Sequence, residues 1–166
     1  MFYLHLHTHT PLWQDVVSYS LPGSSLRRVR GGAVSMERVV DIDIRWGDAD
    51  AFGHVNNVVF FRYLEEARAR VIPDSGPGST ILSGGLVVAE QQLKYLAPLH
   101  YRKDPIQVGM SVDHVGGSSF RLACRVFDAS SGTVFAEGFV ALVTYNFDTG
   151  APRKLSSEER AWLTGE

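Results

Sequence analysis

Trp46-Gly47-Asp48-Ala49-Asp50-Ala51-Phe52-Gly53-His54-Val55-Asn56-Asn57 is the stretch on which the reading of this chain turns. It places two carboxylates, a glycine-bearing turn, one imidazole and two carboxamides between a strand pattern and a helix pattern. The start of a helix offers backbone N–H groups without intrahelical partners and a partial positive charge. A carboxylate beside it can act as nucleophile or general base. Together these groups suit chemistry at a carbonyl carbon.

Upstream, Val40, Ile42, Ile44 and Trp46 alternate with Asp41, Asp43 and Arg45, so Val39–Trp46 reads as a half-buried strand. Downstream, Asn56–Ile72 reads as a helix. Phe60, Leu64, Ala67 and Val71 form one apolar stripe at three- and four-residue spacing. Glu65 with Arg68 and Glu66 with Arg70 are favourably spaced surface pairs. Asn56 is a natural N-cap, and Pro73 stops the helix. Asp74–Gly85 is a loop rich in Gly, Pro and Ser.

Four long strand patterns follow, over Leu86–Leu96, Ile106–Val115, Phe120–Asp128 and Val134–Phe147. Short connections among the last three favour antiparallel neighbours. Ser156 with Glu159 forms a capping box for a terminal helix over Glu158–Leu163. One long helix must then cover one face of a strongly apolar antiparallel sheet. The expected fold is α+β, with about five strands wrapped around one central helix.

The 166 residues suit one domain with a real core. Residues 1–35 differ from the rest. They carry Arg27, Arg28 and Arg30 against Asp15 alone, a net +2, whereas 36–166 carry a net −4. With Pro11, Pro22, a serine cluster and no sustained period, they are expected to form a poorly ordered extension, and Met36 is a candidate natural start. His5, His7 and His9 alternate there, but three histidines without partner acids make a poor metal site, and no metal is expected. An overall charge of −2 argues against nucleic acid as partner. No apolar run reaches the roughly 18 residues of a membrane span. Cys124, the single cysteine, is expected to be a buried, inert thiol, in keeping with a cytoplasmic protein.

The segment Trp46–Asn57, with the Phe60–Tyr63 aromatics, Glu65-Glu66-Ala67-Arg68 and Lys94-Tyr95-Leu96-Ala97-Pro98, resembles the hotdog-fold acyl-CoA thioesterases of the 4-hydroxybenzoyl-CoA thioesterase type. The resemblance covers roughly residues 36–148, and Asp-x-x-Gly-His-Val-Asn-Asn is its most specific part. It implies a hotdog fold, a homodimer or homotetramer, and hydrolysis of an acyl-CoA or acyl-carrier-protein thioester, with coenzyme A entering only as part of the substrate and no cofactor. It places the catalytic carboxylate at Asp50, the second acid of Asp-x-Asp, and the oxyanion donor at the backbone N–H of Asn57. Some relatives carry a histidine near the first helical turn; here that region is Asn56-Asn57, and the nearby imidazole is His54.

The remaining residues take lesser expected roles. Asp48 braces the loop through backbone N–H groups, and His54 supports it. Gly53 takes a backbone conformation that other residues resist and allows close approach of substrate. Asn56 lines the same approach. Arg102 and Lys103 are candidate contacts for coenzyme A phosphates. Glu90, an acid within an otherwise apolar strand, is the reserve catalytic acid. No Gly-x-Ser-x-Gly elbow is present, which argues against an α/β-hydrolase. Two alternatives use the same fold: a hydratase or dehydratase built on an Asp/His pair, and a non-catalytic acyl-binding or scaffold protein.

Overall fold

The computed structural model describes residues 37–73 and 75–166. The extension expected over 1–35 and the histidines His5, His7 and His9 lie outside the described residues.

The chain runs β1 (Arg38–Ile42), a 3-10 turn (Trp46–Asp48), α1 (Asn57–Val71), a short α2 (Thr80–Ser83), β2 (Leu86–Tyr95), β3 (Ile106–Val115), β4 (Ser119–Phe127), β5 (Val134–Asn146), β6 (Ala151–Pro152) and α3 (Ser157–Thr164). The long strands form one antiparallel sheet in the order β1-β3-β4-β5-β2, with β6 beside β5. β1 and β2 are consecutive in sequence yet lie at opposite edges of the sheet. The segment carrying α1 must therefore cross from one edge to the other, which is how a single helix comes to cover the sheet. This is the hotdog arrangement that the resemblance implies.

Periodicity explains what each element buries. Phe60, Tyr63, Leu64 and Ala67 of α1 lie in the core with Ile42, Val108, Met110, Phe120, Leu122, Val126, Val140 and Leu142 from the sheet. On β4, Phe120, Leu122, Cys124 and Val126 are buried and the residues between them only half-buried, the alternation expected of a strand with one face on the core. Cys124 is among the buried set, where burial chiefly pushes its thiol up to about 12, so it stays protonated. Gly138 of β5 is needed because a Cβ there would run into the backbone carbonyl of Gln92 on β2.

Two elements depart from the sequence reading. The first strand stops at Ile42, and Trp46 is not on a buried strand face: it sits in the 3-10 turn, 81% exposed. The cause is local. The Asp48 carboxylate accepts the Arg45 N–H, and the Asp48 N–H donates to the Arg45 carbonyl, so these groups are satisfied within the turn rather than in a ladder. The loop after Pro73 also contains α2, whose Ile81 is fully buried. Ser156 and Glu159 form the expected capping box at the start of α3. Among the described residues, no helix is long and apolar enough to cross a membrane.

Candidate active site

Residues 45–57 close on themselves. Ala49 and Val55 pair across the loop, and the Asp50 N–H donates to the His54 carbonyl at 2.9 Å. The Gly53 N–H returns to the Asp50 carbonyl at 3.0 Å. Gly53 takes φ +79°, a left-handed conformation that costs a side-chain-bearing residue about 1–2 kcal/mol. Asp50, half-buried, accepts the Phe52 N–H on Oδ1 at 2.8 Å. This short-range bond orients its carboxylate and leaves Oδ2 without a partner among the described residues.

The loop runs directly into α1. Asn56 caps the helix: its Oδ1 accepts the Val58 N–H and its carbonyl accepts the Val59 N–H. The Asn57 N–H meets no acceptor among the described residues. It therefore points a free donor outward from the positive end of a 15-residue helix. The carbonyl of the same residue accepts the Tyr95 hydroxyl at 2.9 Å, and the Tyr95 ring meets Phe60 edge-on. The end of β2 is thereby attached to the first turn of α1.

Contacts from Leu99, His100 and Tyr63 further fix the loop. The Val55 N–H donates to the Leu99 carbonyl at 2.7 Å. The His100 Nδ1–H donates to the Gly53 carbonyl at 3.1 Å, and the His54 and His100 rings lie 4.7 Å apart. Asp48, only 4% exposed, accepts the Tyr63 hydroxyl at 2.7 Å and the Arg45 N–H at 2.8 Å, both on Oδ2. Burial, then the hydrogen bond to Asp48, raise the Tyr63 hydroxyl above its usual range and keep it a donor. Sequence reading found Asp48 but not Tyr63, Tyr95, Leu99 or His100. Tyr63 and Tyr95 lie in segments that carry the family resemblance, but their partners, like Leu99 and His100, are brought in by tertiary contacts that no local motif marks.

The structure thus brings Asp50, Gly53, His54, Asn56 and Asn57 together and leaves the other candidates elsewhere. Glu90 is exposed on edge strand β2, opposite Ala141 and beside a bulge. It lies five residues before Tyr95, about 16 Å along the strand, and on the opposite face. Arg102 is already engaged: its guanidinium donates to Asp128 Oδ2 at 2.7 Å and to the Pro105 and Asp104 carbonyls. Lys103 is exposed in the same loop. Among the described residues, no group of three or more His, Cys, Asp or Glu side chains is placed to hold a metal ion.

The antiparallel sheet wrapped on one long helix is the hotdog fold, and it sets a carboxylate loop at the start of that helix. Residues 44–163 match the model of the thioesterase-like superfamily, and the chain belongs to that superfamily. It is 33% identical to a thioesterase from Thermus thermophilus solved with coenzyme A and zinc, with a TM-score of 0.65 over 80% of this chain and 98% of that one. A 1,4-dihydroxy-2-naphthoyl-CoA thioesterase from Synechocystis shares the fold at 16% identity, with a TM-score of 0.66 over 77% of this chain and 96% of that one. The uncharacterised protein YsmA of Bacillus subtilis strain 168 is 28% identical over 74% of this chain and 82% of its own length.

Proposed function

We propose that the protein hydrolyses an acyl-CoA thioester to a free acid and a thiol, with Asp50 as its catalytic carboxylate and the Asn57 N–H as oxyanion donor. The observation that carries this reading is the placement of the Asp50 loop immediately before the free N–H at the start of α1. A thioester carbonyl is already electrophilic, so two things are required: a nucleophile and a donor for the oxygen that becomes negative. Asp50 Oδ2 either attacks the carbonyl carbon, giving a mixed anhydride that water opens, or takes a proton from the attacking water. In both cases the thiolate leaves, and the Asn57 N–H meets the tetrahedral oxyanion. One such donor is worth about 2.7–4 kcal/mol of barrier. No cofactor is called upon.

The coenzyme A complex of the Thermus thermophilus relative supports coenzyme A over a carrier protein as the thiol. Lys103 is the exposed base available for its phosphates, since Arg102 is held by Asp128. Assembly as at least a homodimer fits two surfaces: the outer edge of β2, which has no strand partner among the described residues, and Trp46, Phe52 and Val58, which are 81%, 82% and 67% exposed around the loop. Open strand edges and apolar patches of this kind are ordinarily covered.

The test is thiol release from a panel of aromatic and aliphatic acyl-CoAs by the wild type and by Asp50→Asn. The wild type should turn over and the variant should lose at least about 100-fold in kcat. Equal rates for the two would remove Asp50 from the chemistry. Absorbance change with an enoyl-CoA, without thiol release, would mark a hydratase instead.

A further inference from the structure

The most deeply buried polar pair near the loop, Tyr63 with Asp48, plays no part in the steps above. Tyr63 is 2% exposed and Asp48 4%. A carboxylate buried so far from water is costly unless its oxygens are matched by donors. Here the donors come from two different elements. Arg45 lies just past β1, and its N–H reaches Oδ2; Tyr63 lies two turns into α1, and its hydroxyl reaches the same oxygen. The Arg62 guanidinium stands 3.9 Å from the other oxygen, on the exposed side. The backbone of Asp48 adds a third tie, because its carbonyl accepts the N–H of the helix cap Asn56 at 2.9 Å. One residue therefore joins the segment just after the first strand, the cap of the helix and the helix interior, two positions before Asp50.

We propose that the Tyr63–Asp48 pair is a positioning device that sets the Asp50 carboxylate against the Asn57 N–H. This rests on the assignment of Asp50 above. The reason is geometric: Leu99 and His100 tie the Asp50 loop to the segment after β2, so its placement relative to α1 depends on the separate ties from the loop to the helix. Tyr63 is the side chain of the helix body that provides one. Loss of the hydroxyl lets the loop shift relative to the helix start, and a displacement of about 1 Å can cost about 100-fold in rate.

Tyr63→Phe removes the hydroxyl and keeps the ring. Its kcat should fall about 10- to 100-fold with KM changed less than about twofold, measured by thiol release. The decisive measurement repeats the substitution in the Asp50→Asn background. A pair that works through Asp50 has nothing left to position there, so the loss should shrink to less than about twofold. Asp48→Asn keeps the size and one acceptor oxygen; its kcat should fall too, and that loss should also vanish without Asp50, which covers the case of a poorly folding Tyr63→Phe. An unchanged kcat in Tyr63→Phe, or an equal loss in both backgrounds, overturns the positioning role. Those outcomes differ from failure of the functional reading, in which wild type and Asp50→Asn already release thiol equally.

Discussion

His54 and His100 lie with ring centroids 4.7 Å apart and planes tilted by 54°, and their backbones pair as an antiparallel bridge. Forty-six positions of sequence separate them, so the contact fastens the Asp50 loop to the segment after β2. His100 adds a hydrogen bond to the Gly53 carbonyl at the tip of that loop. Such a bond contributes about 0.5–1.5 kcal/mol net. His100→Ala should therefore lower kcat by roughly two- to tenfold, far less than Asp50→Asn. Steady-state kinetics of the two variants side by side check the ranking; a loss in His100→Ala as deep as in Asp50→Asn would make the imidazole pair part of the chemistry.

Gly53 offers a purely conformational probe of the same loop. A Cβ at this position would meet nothing within 4 Å, but φ is +79°. Gly53→Ala thus carries backbone strain without a clash, about 1–2 kcal/mol. At this chain length that corresponds to a Tm about 2–8 °C lower. Calorimetry of wild type and variant measures it. An unchanged Tm would mean that the loop relaxes to a different conformation at no cost.

The N–H of Asn57 can be deleted without dismantling the helix. Asn57 is the first residue of α1, where proline is well tolerated because its missing N–H has no intrahelical acceptor. The preceding Asn56, at φ −60° and ψ 138°, already has the extended conformation that a following proline demands. Asn57→Pro should leave Tm within a few degrees yet reduce kcat about 100- to 1,000-fold, the usual effect of losing an oxyanion donor. Circular dichroism and thiol release together decide it: full activity in a folded variant would assign the donor elsewhere.

Legibility in the sequence followed the range of the interactions. Ile106–Val115 was readable to the residue because its signal is alternation over neighbouring positions. The Asn56 cap and the Ser156/Glu159 capping box span three residues or fewer and were equally plain. Val39–Trp46 misled because its alternation continues past Ile42, while Asp48 draws the backbone of Arg45 into a turn. The acids and amides of the site stood in one segment, so the site itself was visible. What holds it was not: Tyr63 reaches Asp48 across 15 residues and Tyr95 reaches Asn57 across 38. Nor does the composition of β2 reveal that it lies at the sheet edge, with Val88, Tyr95 and Leu96 near it exposed.

Acid stability should depend on Glu159. It is fully buried at the start of α3, where it pairs with Arg153 through two bonds of 2.8 and 2.9 Å and accepts the Ser156 N–H. Burial alone would raise this carboxyl, but the bonds from Arg153 and Ser156 outweigh it and hold the group below its ordinary 4.5. A carboxyl depressed on folding adds stability that is fully present above the unfolded value and is lost as pH falls through the folded value. Unfolding free energy should therefore decline below about pH 4.5 in the wild type, and less steeply in Glu159→Gln. Arg153→Met strands the buried charge and should cost about 3 kcal/mol at neutral pH. Urea titrations across roughly pH 3–7 test both statements.

The outer edge of β2 gives the last prediction. Ten residues, Leu86–Tyr95, present a side with no strand partner among the described residues while their other side is bonded to β5. The central part, Glu90-Gln91-Gln92, carries a single charge, and exposed Val88, Tyr95 and Leu96 lie around it. Edges left open in monomers are normally short, bulged or lysine-rich. This one has a bulge between Val88 and Glu90 but keeps a continuous register from Glu90 to Tyr95. A second copy of the chain, pairing edge to edge, satisfies those backbone groups. Because Tyr95 also touches the first turn of α1, such a pairing would bring the partner close to the catalytic loop. Light scattering of the wild type should then give at least twice the 18.3 kDa of one chain. Val88→Lys should shift the mass toward one chain, since a two-fold interface receives every substitution twice. If the site is completed across the interface, thiol release should fall with the dimer fraction as the variant is diluted. A wild type that is monomeric at micromolar concentration, yet fully active, would place the whole site within one chain and leave the edge uncovered.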